Sequence, residues 1–166
     1  MKISVVPRKW FSDRKGTDEE KQVFANANVI SIITPAYPKK NFEEEDIPFS
    51  EGYRNADNVL VLKFHDTELQ WDDDVVLMNK SDADKVYEFV QRTKGNGKPY
   101  IVHCTAGKSR SQAVGYILNL WFNGEHGIDP NPDEFYEYED SHAMAFQHMN
   151  SLVKRLLNER FFFSGD

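Results

Sequence analysis

Hydrophobic positions along the chain fall into short blocks with two different periods. Ile3-Ser4-Val5-Val6 is an apolar run stopped by Pro7, the pattern of a first strand. Val29-Ile30-Ser31-Ile32-Ile33 is continuous and β-branched, and Asn58 to Phe64 is equally apolar. Both read as strands covered on two faces. Pro99-Tyr100-Ile101-Val102-His103 reads as a further strand. Between these runs the period changes. Thr17 to Ala25 suits a short surface helix with Asp18, Glu19 and Glu20 near its positive end. A second helix is expected from Ser81, where Ser81 and Asp84 have capping-box spacing and Ala83, Val86, Tyr87 and Val90 recur at helical intervals. Gly95-Asn96-Gly97 ends it. Ser111 to Phe122 predicts an apolar helix closed by Asn123-Gly124. A last helix is expected over about 142–160, with Phe146, Met149, Val153, Leu156 and Leu157 on one face. Residues 36–57 read as a long ordered loop whose Glu43-Glu44-Glu45-Asp46 run is a solvated face.

Alternating strands and helices predict a single α/β domain spanning residues 1–166, with a mostly parallel sheet of four to five strands flanked by helices. Ligands of such sheets sit beyond the carboxyl ends of the strands. The strands ending near Phe64 and His103 both run into polar residues, which directs attention to those two ends.

Composition narrows the possible partners. The 166 residues carry 20 Lys plus Arg against 27 Asp plus Glu, a formal charge of -7. A field of that sign repels nucleic acid and anionic membranes, so neither is expected as a partner. A single cysteine excludes an internal disulfide framework and favours a reducing compartment. No apolar run is long enough to span a bilayer, and the opening Met1-Lys2-Ile3-Ser4-Val5-Val6-Pro7 does not fit a secretory signal. A cytoplasmic monomer is the expectation.

The chemistry concentrates at His103-Cys104-Thr105-Ala106-Gly107-Lys108-Ser109-Arg110-Ser111. A thiol at a strand tip is followed by a short loop and then at once by a helix. A tight strand-to-helix loop turns successive backbone N–H groups inward, forming an anion nest at the positive helix end. Gly107 permits a backbone angle that a side chain forbids. Arg110 offers a planar, permanently charged fork matched to two phosphate oxygens. The same donors stabilise a thiolate, so Cys104 is expected to be ionised and nucleophilic. Such a cradle around a thiolate points to phosphoryl transfer through a cysteinyl-phosphate.

The segment resembles the signature loop of the cysteine-based protein tyrosine phosphatase superfamily, His-Cys-x5-Arg-Ser/Thr. The resemblance makes Cys104 the nucleophile and Arg110 the phosphate-binding arginine. Ser111 becomes the hydroxyl that stabilises the leaving thiolate, and Thr105, Ala106, Gly107, Lys108 and Ser109 complete the phosphate-binding loop. From about Asn28 to Asn123 the order of elements resembles the compact dual-specificity-like members. Phe64-His65-Asp66 and the Ala106-to-Ser111 ending are most like small bacterial and viral versions. The implied reaction uses no cofactor and no metal. The implied substrates are phosphotyrosine and phosphoserine or phosphothreonine on proteins, or a small phosphorylated molecule such as a phosphoinositide, inositol phosphate or RNA 5′ end. A phospho-binding module without turnover is the alternative from another class.

The family also needs a general acid on a neighbouring loop. Asp66 follows its strand directly, where dual-specificity-like members carry theirs, although its 38-residue separation from Cys104 exceeds the usual spacing. Asp72, Asp73 and Asp74 are nearer in sequence, and Trp71-x-Asp73 is faintly similar to the acid loop of larger tyrosine-specific enzymes. Position relative to a strand end constrains geometry better than residue count, which favours Asp66. Lys108 either meets a second phosphate on the substrate or points to solvent. The resemblance implies that His103 orients the loop. His142 and His148 are six apart on the expected helix, which does not suit metal ligation. Trp10, Tyr37, Phe42 and Tyr53 either rim the pocket or pack in the core, and Phe161-Phe162-Phe163 is expected to tuck against the sheet or last helix.

Overall fold

The structure is a computed structural model that describes residues 1–124 and 149–163. Four strands, β1 (Ile3–Pro7), β2 (Asn28–Ile33), β3 (Val59–Lys63) and β4 (Tyr100–Cys104), form one sheet in the order β1-β4-β2-β3. Every pairing is parallel, with Val5 opposite Val102, Ile30 opposite Val102 and Ile30 opposite Leu60. Among the described residues the strand count is the lower of the two expected, and the sheet is all-parallel.

A parallel sheet needs helical crossovers and cover on both faces. The alternation of side chains along each strand divides the core accordingly. Ile30, Ile32, Leu62, Phe64, Tyr100 and Val102 pack on one face with α3 (Lys80–Thr93), α4 (Arg110–Asn123) and α5 (Ser151–Asn158). Val6, Val29, Ile33, Val59 and Ile101 face the other way, against α1 (Arg8–Ser12), α2 (Asp18–Asn26), and Ile47 and Phe49 from the long loop. Each fully buried aliphatic side chain contributes about 1.5–3 kcal/mol relative to exposure. Cys104 belongs to the α4 face and His103 to the opposite one, because they are neighbours on one strand.

Several boundaries move from those expected. The capping box of α3 is Asn79 with Asp82, not Ser81 with Asp84: Asn79 Oδ1 accepts from Asp82 N–H and Asp82 Oδ2 from Asn79 N–H, each at 3.0 Å. Both pairs have the required spacing. The Asn79 cap also places Met78 just outside the helix and Ala83 one turn inside, both buried in the same cluster, as in a hydrophobic staple. Helix α1, absent from the sequence reading, starts straight after Pro7 and buries Phe11 with its ring 5.1 Å from that of His103. The last helix is seen from Ser151, with a π-helical turn over Glu159–Phe163. Its expected portion 142–148, with Phe146, His142 and His148, lies outside the described residues. Phe161 tucks against Tyr87 and Trp121, whereas Phe163 is 75% exposed. No helix among the described residues is long and apolar enough to cross a membrane.

Candidate active site

Strand β4 delivers Cys104 to its carboxyl end, and the loop to α4 begins there. Gly107 is required by two independent constraints. Its φ is +72°, and a Cβ on it would lie 2.8 Å from Pro7 N and 2.9 Å from Val6 C, both backbone atoms of β1. Arg8 N–H donates to Thr105 O at 3.0 Å, and Gln112 Nε2 donates to Gly107 O at 2.6 Å. The loop is thus tied to β1 on one side and α4 on the other. Among the described residues the backbone N–H groups of 105–109 donate to no acceptor. These donors, at the start of a fourteen-residue helix, have the makings of an anion site.

The thiol lies low in this arrangement. Cys104 is only 3% exposed, and its Sγ is 3.1 Å from the buried Ser111 Oγ. His103 sits on the far face of the sheet, fully buried. Its Nδ1 faces Cys104 O at 3.0 Å, and a carbonyl only accepts, so Nδ1 carries the hydrogen. Ser31 Oγ then donates to Nε2 at 2.6 Å. Burial lowers the pKa of His103 to about 4, so the ring is neutral and holds the Cys104 carbonyl without adding charge.

Arg110 is held by a frame that the sequence reading did not anticipate. Its Nη1 donates to Phe64 O at 2.7 Å, and its Nη2 donates to Thr34 Oγ1 and Thr105 Oγ1, each at 2.9 Å. Its Nε is buried and meets no acceptor among the described residues. Thr105 Oγ1 donates to the Glu45 carboxylate at 3.0 Å, and Thr34 N–H donates to Glu45 Oε1 at 2.7 Å. Burial pushes the Glu45 carboxyl up, but hydrogen bonds from Thr34 and Thr105 and the nearby Arg8 guanidinium outweigh it, leaving the group below its usual value. Glu45 therefore departs from the solvated face expected of residues 43–46. It is an anionic anchor, and the Thr105 side chain serves Arg110 rather than facing the cleft. Thr34 had a legible signal, directly after β2 at the ligand-binding end of the sheet. Glu45 had none.

Asp66 meets the same loop from β3. Its Oδ1 accepts from Ser109 Oγ at 2.7 Å and from Asn150 Nδ2 at 3.0 Å, while Oδ2 meets no donor among the described residues. Asp66, Ser109, Asn150, Glu68, Leu69 and Trp71 line an open cleft of about 370 Å³. Cys104 is buried and is not part of that wall. Asp72, Asp73 and Asp74 make no hydrogen bond or ion pair to the Cys104 loop among the described residues. Asp72 pairs with Lys39 at 2.8 Å, and Asp74 is 3.8 Å from the same ammonium. The Asp74 N–H, then Lys39, hold the Asp72 carboxyl below its usual value, which opposes proton donation at neutral pH. Asp73 is exposed.

The remaining candidates separate cleanly. Ala106 and Lys108 are exposed, and Lys108 makes no ion pair among the described residues. Trp10 and Tyr53 pack against the second cluster, and Tyr37 is buried with its ring 5.5 Å from Trp71. Phe42 is 42% exposed and forms an isolated bridge with Tyr37. Asn150 was missed, although Asn followed by Ser151-Leu152-Val153 is a helix-start signal.

No protein-family model matches the sequence, and no curated protein matches it. Solved structures do. PTPMT1 is 15% identical over 95% of this chain and 88% of its own, with a TM-score of 0.48. The human tyrosine phosphatase-like serine/threonine/tyrosine-interacting protein is 18% identical over 95% and 89%, also at 0.48. OH1 from the Orf virus, a tyrosine phosphatase with triple substrate specificity, is 16% identical over 96% and 82%, at 0.43. At these TM-scores the likeness carries no argument, and the chemistry rests on the site itself. These three solved structures are members of the cysteine-based protein tyrosine phosphatase superfamily, the family that the Cys104 loop of this chain resembles.

Proposed function

We propose that the protein is a cysteine-dependent phosphomonoester hydrolase. The observation that carries this reading is the surround of Cys104: a thiol beside Ser111, at the start of a loop whose backbone N–H groups donate to no acceptor among the described residues, with a buried guanidinium whose Nε meets none among them either. A buried, unpaired cationic donor is costly and is relieved by a bound phosphate oxygen. In the reaction, Cys104 Sγ attacks phosphorus and the bond to the leaving oxygen breaks. Loop amides and Arg110 hold the equatorial oxygens, and Asp66 passes a proton to the departing oxygen. Water then attacks phosphorus, Asp66 takes its proton, the S–P bond breaks and Ser111 donates to the departing thiolate. None of these steps draws on a metal.

For the substrate, the proposal is phosphotyrosine on proteins, with phosphoserine and phosphothreonine accepted less well. Leu69 is 73% exposed and Trp71 59% exposed on the cleft wall, an apolar surface that favours an aryl group over a hydrated inositol ring. Glu68 and Asp66 on that wall disfavour polyanions. The deciding experiment measures phenyl phosphate, phosphopeptides and inositol phosphates with and without chelator. Chelator-resistant activity that falls at least about a thousandfold in Cys104→Ser, ranked with aryl phosphates first, is expected. Activity retained in Cys104→Ser overturns the mechanism, and inositol phosphates ranking first overturn the substrate assignment. A burst of phenol release separates an enzyme from a phospho-binding module.

A further inference from the structure

Asn150 joins three parts of the molecule that are far apart in sequence. It is 3% exposed and caps α5, its Oδ1 accepting from Val153 N–H at 3.0 Å. Its Nδ2 donates to Asp66 Oδ1 at 3.0 Å and to Thr67 O at 3.2 Å. The amide orientation is unambiguous, since a backbone N–H can only donate and a carbonyl can only accept. Its own backbone N–H donates to Ser109 O at 3.3 Å, and the next residue's, Ser151 N–H, to Glu68 Oε1 at 2.9 Å.

Capping requires only an acceptor, and serine or threonine supplies one. The Nδ2 donor is therefore surplus to the helix, and it is directed at the acid loop. We infer that Asn150 is a positioning residue for Asp66. By engaging Oδ1 together with Ser109, it leaves Oδ2 as the oxygen that carries the transferable proton. By engaging Thr67 O as well, and with Ser151 holding Glu68, the start of α5 keeps the acid loop docked beside the Cys104 loop before any substrate arrives. The inference rests on the reading of Asp66 as general acid.

The test uses leaving groups of different basicity. Dinitrophenolate departs without a proton, whereas phenolate needs one, so the ratio of kcat/KM for phenyl phosphate to that for 2,4-dinitrophenyl phosphate reports proton donation alone. Asn150→Ser keeps the helix cap but lacks the reach to Asp66, and Asn150→Ala removes both. The ratio is expected to fall about tenfold in both variants, the effect of one lost hydrogen bond to a charged group. Adding Asn150→Ser to Asp66→Asn is expected to lower it no further. A wild-type ratio in Asn150→Ser, with both substrates slowed in parallel, overturns the inference and leaves Asp66 as the acid. A wild-type ratio in Asp66→Asn removes the acid reading itself, and the inference with it.

Discussion

Ser109 Oγ donates to Asp66 Oδ1 at 2.7 Å, joining two residues 43 positions apart. Ser109 immediately precedes Arg110, so the bond links the Cys104 loop to the loop after β3. This contact distinguishes the candidate acids, because Asp72 and Asp74 are turned toward Lys39 and Asp73 is exposed. Proton donation is effective only from a group within hydrogen-bond reach of the leaving oxygen, and contact with the loop brings Asp66 nearest to that condition.

Asp66→Asn is expected to lower kcat for phenyl phosphate by at least about a hundredfold, the range for loss of a general acid. Asp73→Asn is expected to stay within about twofold of wild type, as an exposed substitution away from the loop does. Steady-state rates at saturating substrate check both. A larger loss from Asp73→Asn sinks the choice of Asp66.

Gly107→Ala forces a side chain onto a residue at φ +72° and toward β1 backbone atoms 2.8–3.0 Å away. Backbone atoms cannot swing aside, so the loop itself must shift. Displacements of about 1 Å at such sites cost on the order of a hundredfold in rate. The expected outcome is that loss in kcat/KM, with the urea midpoint also lowered. Wild-type kinetics from a folded Gly107→Ala protein contradict the assigned loop geometry.

Glu45→Gln and Thr105→Val each loosen Arg110 without touching the thiol. Each is expected to raise KM for an aryl phosphate about five- to tenfold, as loss of one charge-assisted hydrogen bond does. Because the Glu45 carboxyl is held below its usual value, its contribution to stability is complete above the ordinary glutamate range. That contribution is lost as pH falls through the lower folded-state value. The Arg110 frame should therefore persist at pH 5. A KM that rises between pH 7 and 5 in wild type but not in Glu45→Gln argues against this.

His103 contributes with the same direction of pH dependence for a different reason. Folding keeps it neutral down to a pKa of about 4, whereas the unfolded chain takes up the proton near the ordinary histidine value of 6.5. The unfolded state binds more protons in that window, so stability falls as pH decreases through it. The contribution is about 2 kcal/mol between pH 6.5 and 5. Urea unfolding at the two pH values measures it, and His103→Asn should flatten the slope. An equally steep slope in that variant assigns the effect elsewhere.

Much of the architecture was legible because it depends on local pattern. Runs of β-branched residues specified the buried strands, and the change of period from Ser81 specified α3, whose start the structure moves to Lys80. The Cys104-to-Ser111 segment was legible for the same reason, since the strand tip, glycine, arginine and helix start are contiguous. Helix caps were less so: two Asn/Ser–Asp pairs offered equivalent spacing at α3, and burial of Met78 selected between them.

What the chain order alone determined is thus the α/β class, the strands, and the position of one thiol and one arginine in a single loop. Only the tertiary structure decided what surrounds them. Glu45 reaches Thr105 across 60 residues and Asn150 reaches Asp66 across 84, and no periodicity records such pairs. They depend on which loops the parallel sheet gathers at its carboxyl end, and on hydrogen-bond geometry that exists only after those loops meet.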